Sequence, residues 1–108
     1  MAINVMRGES DAVLEQLMAG LRSYEADHPG AQIDLYRQDP YSVRVRVIDP
    51  HFDSLDRSER NQLLWRYFES VPDDAVSDIS TLLLLAPAEV PESFGNMEFE
   101  NPVPSVLL

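Results

Sequence analysis

An α+β fold is predicted: a two-layer α/β sandwich of order αββαβ, with a three-stranded mixed sheet, helices on one face and an irregular C-terminal tail. Three observations predict it. Two segments, residues 11–27 and 57–70, carry apolar residues at helical spacing. Residues 43–48 alternate strictly, Val43, Val45 and Val47 against Arg44 and Arg46, which is the period of a strand with one buried and one wet face. Residues 79–86 form a short apolar run through Leu82, Leu83, Leu84 and Leu85, the pattern of a strand buried on both faces or covered by a partner. Two striped helices need a shared apolar surface, and one face of a sheet supplies it most economically.

The elements follow in order. Residues 1–9 show no period and read as a ragged start. Ser10 supplies an N-cap and Asp11 an acidic first turn; Leu14, Leu17, Met18, Leu21 and Tyr24 then line one side of the first helix. Pro29 and Gly30 stop it, with His28 in its last turn, where a cation suits the helix dipole. Ile33 and Leu35 alternate with Asp34 and Tyr36 in a first strand. Gln38, Asp39 and Pro40 turn the chain, and residues 41–48 return as its antiparallel partner. Asp56, three residues before Glu59, opens the second helix with a variant capping box. Arg60, Leu64, Tyr67, Phe68 and Val71 share a side of that helix, and residues 72–78 form an acidic connection. If the second and third strands are parallel neighbours, this helix is the crossover between them. Residues 87–108 hold four of the eight prolines and no period; they are expected to wrap the domain through Phe94, Met97 and Phe99, with Val106, Leu107 and Leu108 docked or exposed. The organisation is thus one α/β domain, residues 1–90, and a Pro-rich acidic tail, residues 91–108.

Size and composition bound the function. A chain of 108 residues fills one domain, and 44% hydrophobic with 25% charged residues is the balance of a folded one. No cysteine is present, which excludes disulfides, thiolate nucleophiles and Cys-ligated metal clusters held by this chain alone. The longest apolar run is far short of a membrane span, and residues 1–8 lack the features of a signal peptide, so a cytoplasmic location and no membrane partner are expected. The net charge is −11, all eight basic residues are arginine, and residues 67–108 hold eight acids and no arginine. Such a surface repels phosphate backbones, so no nucleic acid partner is expected; the acidity maintains solubility or steers a basic protein partner.

Few residues suggest catalysis. Asp49, His51 and Asp53 flank one another in a loop and could ligate a metal or support acid–base chemistry, giving a small metal-assisted hydrolase as one alternative. Against it, one short loop supplies no third group at a distance; Phe52 inserting into the core with polar neighbours in water accounts for the segment. With glycines only at 8, 20, 30 and 95, no phosphate-cradling loop can be built, and no Gly-x-Ser-x-Gly or HExxH occurs. No catalytic residue, metal site or cofactor is assigned. The candidate contact residues for a protein partner are Arg44 and Arg46 on the strand's outer face, Arg60 on the second helix, and Trp65, about 100° off that helix's apolar stripe.

Residues 43–89 resemble the BolA family, small α/β proteins with a fold related to type II KH domains. The shared pattern is a strand at 43–48, an aromatic residue in the following loop at Phe52, and an arginine eight positions on at Arg60, which opens a helix. Leu63, Leu64, Trp65 and Phe68 fill that helix's apolar and aromatic positions, and a last strand ends near Pro87 and Glu89. The resemblance implies an iron–sulfur trafficking role alongside a monothiol glutaredoxin. It also locates departures: Asn61 and Gln62 replace the family's histidine and second arginine, Ser80 stands where a cluster-ligating histidine falls, and residues 38–41 offer neither Cys nor His. A member that kept the scaffold and lost the ligands is implied. The expectation is therefore a non-enzymatic interaction module with a BolA-like fold and a protein partner of unknown identity; an accessory iron–sulfur factor is the other alternative. A homodimer through an apolar edge strand stays open.

Overall fold

The computed structural model describes residues 3–5 and 11–100. Its class is the predicted mixed α/β one, but the sheet has four strands in the order β1-β2-β3-β4. Strand β1 (Ile3–Val5) is the addition: it pairs parallel with β2 (Gln32–Asp39), three residues being too short for a period to show in sequence. Helix α1 (Ala12–Asp27) joins those two strands, and Asp11, not Ser10, caps it, its carboxylate accepting the Leu14 N–H at 2.9 Å. Ser10 and the last residues Val106, Leu107 and Leu108 lie outside the described residues.

Strand β2 runs antiparallel to β3 (Ser42–Ile48) across a turn in which Asp39 accepts the Tyr41 N–H at 2.8 Å. Helix α2 (Arg57–Trp65) opens on the expected capping box: Glu59 N–H donates to Asp56, and Asp56 N–H to Glu59. It ends earlier than expected, tightening into a 3-10 turn at Arg66–Phe68, and the acidic connection contains a short helix α3 (Asp73–Val76). Strand β4 (Ile79–Leu85) returns parallel to β3 and closes the second crossover unit at the sheet's edge.

The core lies between one sheet face and the helices. Leu14, Leu17, Leu21 and Tyr24 of α1 meet Ile33, Leu35, Val43, Val45 and Val47, with Phe52 and Leu64 filling the end below α2; all are fully buried. Gly20 lets α1 approach the Arg66–Phe68 turn closely, since a Cβ there would stand 2.7 Å from the Tyr67 carbonyl oxygen and 3.1 Å from Phe68. A backbone oxygen cannot step aside as a flexible side chain can. Gly20→Ala is accordingly expected to destabilise by about 1–3 kcal/mol, the usual scale of overpacking, read as a lower urea midpoint.

The tail departs most from expectation. A 3-10 segment spans Pro87–Glu92 and helix α4 covers Phe94–Glu100. Its Asn96 N–H donates to Ser93 Oγ, and Phe99 is buried on the sheet's second face. Helices therefore cover both faces and the second face is not wet: strict alternation reports two unlike faces, and cannot say whether water or a distant segment covers the polar one.

Candidate functional site

The second sheet face is built from alternate residues of β2 and β3, Asp34, Tyr36, Arg44 and Arg46. Arg46 lies directly opposite Asp34, and its Nη2 and Nε donate to Asp34 Oδ2 at 2.6 and 3.1 Å. Helix α4 completes the layer: Arg46 Nη1 donates to Asn96 at 2.6 Å and to Glu100 at 3.1 Å, and its guanidinium stacks 4.8 Å from the centre of the Phe99 ring. The Tyr36 hydroxyl donates to the Phe99 carbonyl, and Arg44 pairs with Glu98 at 2.7 Å. Expected as an exposed contact surface, Arg44 and Arg46 are buried inside the molecule, their charges met by acids of the tail.

Arg60 is also internal. Its Nη1 and Nη2 hold the two oxygens of Glu89 at 2.7 and 2.9 Å. The same guanidinium donates to the carbonyls of Phe52, Leu55 and Leu84 at 2.8–3.1 Å. Glu89 in turn accepts the Ala86 N–H. The Arg60 pair, joined by the Ala86 bond, holds the Glu89 carboxyl down at about 2. Because the folded value lies below the ordinary 4.5, this latch contributes fully above pH 4.5 and is lost as pH falls toward 2. The stability difference between the wild-type chain and Glu89→Gln is expected to be full at neutral pH and to vanish near pH 2, read from urea midpoints across that range; a difference that does not move with pH would place the latch elsewhere. Trp65 remains 39% exposed at the end of α2, edge-on to Phe68.

The loop histidines meet unexpectedly. Tyr24 donates to Asp49 Oδ2 at 2.5 Å, the His51 N–H to Asp49 Oδ1, and His28 Nδ1 lies 3.6 Å from the same carboxylate. His28 stacks on Tyr24 at 4.3 Å and has His51 5.3 Å away, so it is packed rather than a plain surface residue. Burial, reinforced by Asp49, raises the Tyr24 phenol well above its ordinary range. Asp53 and His51 are exposed while Asp49 is buried, and among the described residues no three His, Asp or Glu side chains are grouped to hold a metal ion. Ser80 donates to the Val43 carbonyl in the irregular start of the β3–β4 pairing.

What the sequence allowed as a dimer seam but could not place is the edge of β4. Among the described residues this strand pairs only with β3, and its other edge forms the floor of a groove of about 580 Å³. Arg57 and Asn61 of α2 form one wall, with Glu89 held against that helix by Arg60; Glu92, Ser93 and Phe94 form the other. Backbone groups alternate in direction along a strand. Leu85 accepts the Asp49 N–H on the β3 side, whereas the Leu84 carbonyl, one residue back, turns outward to Arg60. By the same alternation Leu82 directs its N–H and carbonyl into the groove. Only Leu84 and Leu85 of this apolar strand are buried, and Phe94 at the rim is 85% exposed. The only hint in sequence was the four-leucine run itself, whose pattern allowed for a covering partner.

Comparison with known proteins adds no relative: no family model matches the chain, and neither a curated protein nor a solved structure matches it. No described helix is long and apolar enough to cross a membrane.

Proposed function

We propose that this chain is a non-enzymatic protein-interaction module with a BolA-like scaffold, and that it takes an extended segment of a protein partner along the open edge of β4. The observation that carries the reading is that edge: an apolar strand paired on one side, lying at the floor of a walled groove. An added strand gains main-chain hydrogen bonds from the outward groups, while the two walls select its alternating side chains. The order of elements from β2 to the Pro87–Glu92 segment supports the BolA-like part of the reading, since it follows the resemblance along the chain. Arg44, Arg46 and Arg60 serve such a module from within, fixing the tail and the end of the edge, and Trp65 is the remaining arginine-face or helix candidate with an exposed surface.

The reading is tested by capturing partners from a lysate of the source cell on the tagged full-length protein and on two edge variants. Leu82→Pro removes the outward N–H, a change edge strands tolerate, and Asn61→Trp fills the groove from the α2 wall. Both variants should keep the wild-type melting behaviour and lose the proteins that the wild type retains. Partners retained equally by both folded variants would remove the edge from consideration. Recovery of a monothiol glutaredoxin that ignores the edge variants would favour the iron–sulfur accessory role instead.

A further inference from the structure

We infer that the segment taken by this groove is basic: an extended strand carrying lysine or arginine on the side that faces Glu92. The inference rests on the proposal that the β4 edge is a docking site, and it follows from how the two walls are placed. Leu82 and Leu84 are level with Val45 and Val47 and so lean toward the helix layer; Leu83 is level with Arg46 and leans toward α4. A strand added in register alternates in the same way. Half of its side chains meet Arg57 and Asn61, and the other half meet Glu92 and the exposed ring of Phe94.

The charge of the two sides is unequal beyond the walls. Four of the eight acids in residues 67–108 are held by arginines, Asp78 by Arg37, Glu89 by Arg60, Glu98 by Arg44 and Glu100 by Arg46, but Glu92 stands exposed on its wall, and the molecule as a whole stands at −11. The field at the groove mouth therefore draws cations and repels acidic segments. An aromatic rim such as Phe94 accepts an aliphatic lysine stem or stacks on a guanidinium. The same geometry disfavours a second copy. Joining two β4 edges about a two-fold axis continues the sheet, so each wall meets its own image: Arg57 against Arg57, Glu92 against Glu92, between two molecules of like net charge. A single extended chain avoids all three conflicts.

The test uses the full-length protein and three labelled eight-residue probes of equal strand propensity, alternating lysine–valine, threonine–valine and glutamate–valine. Affinity is read by anisotropy at about 10 mM and about 300 mM salt, and the Leu82 and Leu84 amides are followed by hydrogen exchange. The lysine probe is expected to bind about tenfold or more tighter than the threonine probe at low salt. The glutamate probe should be weakest, high salt should compress the difference, and both amides should gain protection. Glu92→Arg, an exposed substitution, should erase most of the lysine advantage. Equal affinity for all three probes with protected amides would overturn the basic preference and leave the docking edge standing. Probes that bind without protecting Leu82 and Leu84, or none that binds, would overturn the edge itself. A single-stranded oligonucleotide protecting those amides better than the lysine probe would overturn the charge argument.

Discussion

Arg46→Ala is expected to destabilise the protein by about 3–5 kcal/mol, the range for leaving one member of a buried ion pair uncompensated. The pair is deeply placed: the Arg46 and Asp34 side chains are 4% and 3% exposed. Without the guanidinium, Asp34 keeps among the described residues only Gln32 at 3.2 Å and Asn4 at 3.5 Å, two neutral amides. Phe99 loses its stacked cation, and Asn96 and Glu100 lose the group that anchors them. Urea unfolding should show a lower midpoint, and limited proteolysis should cut faster within residues 94–100. The test of cause is the double variant Asp34→Leu, Arg46→Met, which removes both charges and leaves apolar side chains in their place. It should recover much of the loss, because the cost lies in the stranded carboxylate rather than in the missing attraction. If the single variant costs less than about 1 kcal/mol, Asp34 is reached by water and α4 does not seal the face.

That expectation concerns a layer the sequence concealed, and the reason is physical. The α1 stripe, the valine alternation of β3 and the Asp56–Glu59 capping box are local: each is decided by residues a few positions apart, so each could be read in the chain. Arg44 and Arg46 obey the same alternation, but what covers them arrives from 54 residues away, as Glu98 and Glu100. A seven-residue helix containing Gly95 and Asn96 has little intrinsic tendency to form, and it is fixed by Phe99 docking rather than by its own sequence. The same holds for the candidate site. The leucine run signalled a strand, but its place at the sheet edge depends on β4 entering parallel beside β3, and its walls come from two other segments. Arg60 stood out as a resemblance residue, whereas its four separate partners only meet in the folded chain.

Arg60→Ala is the second large expected effect, a loss of about 2–4 kcal/mol. One planar guanidinium satisfies the carbonyls of Phe52, Leu55 and Leu84 and both oxygens of Glu89. Two of those bonds, to Phe52 and Leu84, are buried, and a buried acceptor left without a donor costs about 1–3 kcal/mol. The Glu89 pair is half-exposed on its acidic side and adds little to this figure. Arg60→Lys should recover only a minor part, because a single ammonium head cannot reach three carbonyls and a bidentate carboxylate from one position. The measurement is a urea midpoint for each variant at neutral pH; equal stability of Arg60→Lys and the wild type would show that charge, not the shape of the fork, is what the site requires. The substitution has a second consequence at the groove. Arg60 occupies the outward carbonyl of Leu84, so it takes that acceptor from the open edge and leaves the Leu84 N–H and the outward pair of Leu82 to an added strand. With the guanidinium gone, an added strand has one further acceptor to pair with. A folded Arg60→Ala protein should therefore bind the lysine–valine probe at least as tightly as the wild type, even as its own stability falls. Loss of binding alongside a preserved fold would mean that the arginine shapes the groove rather than bounding it.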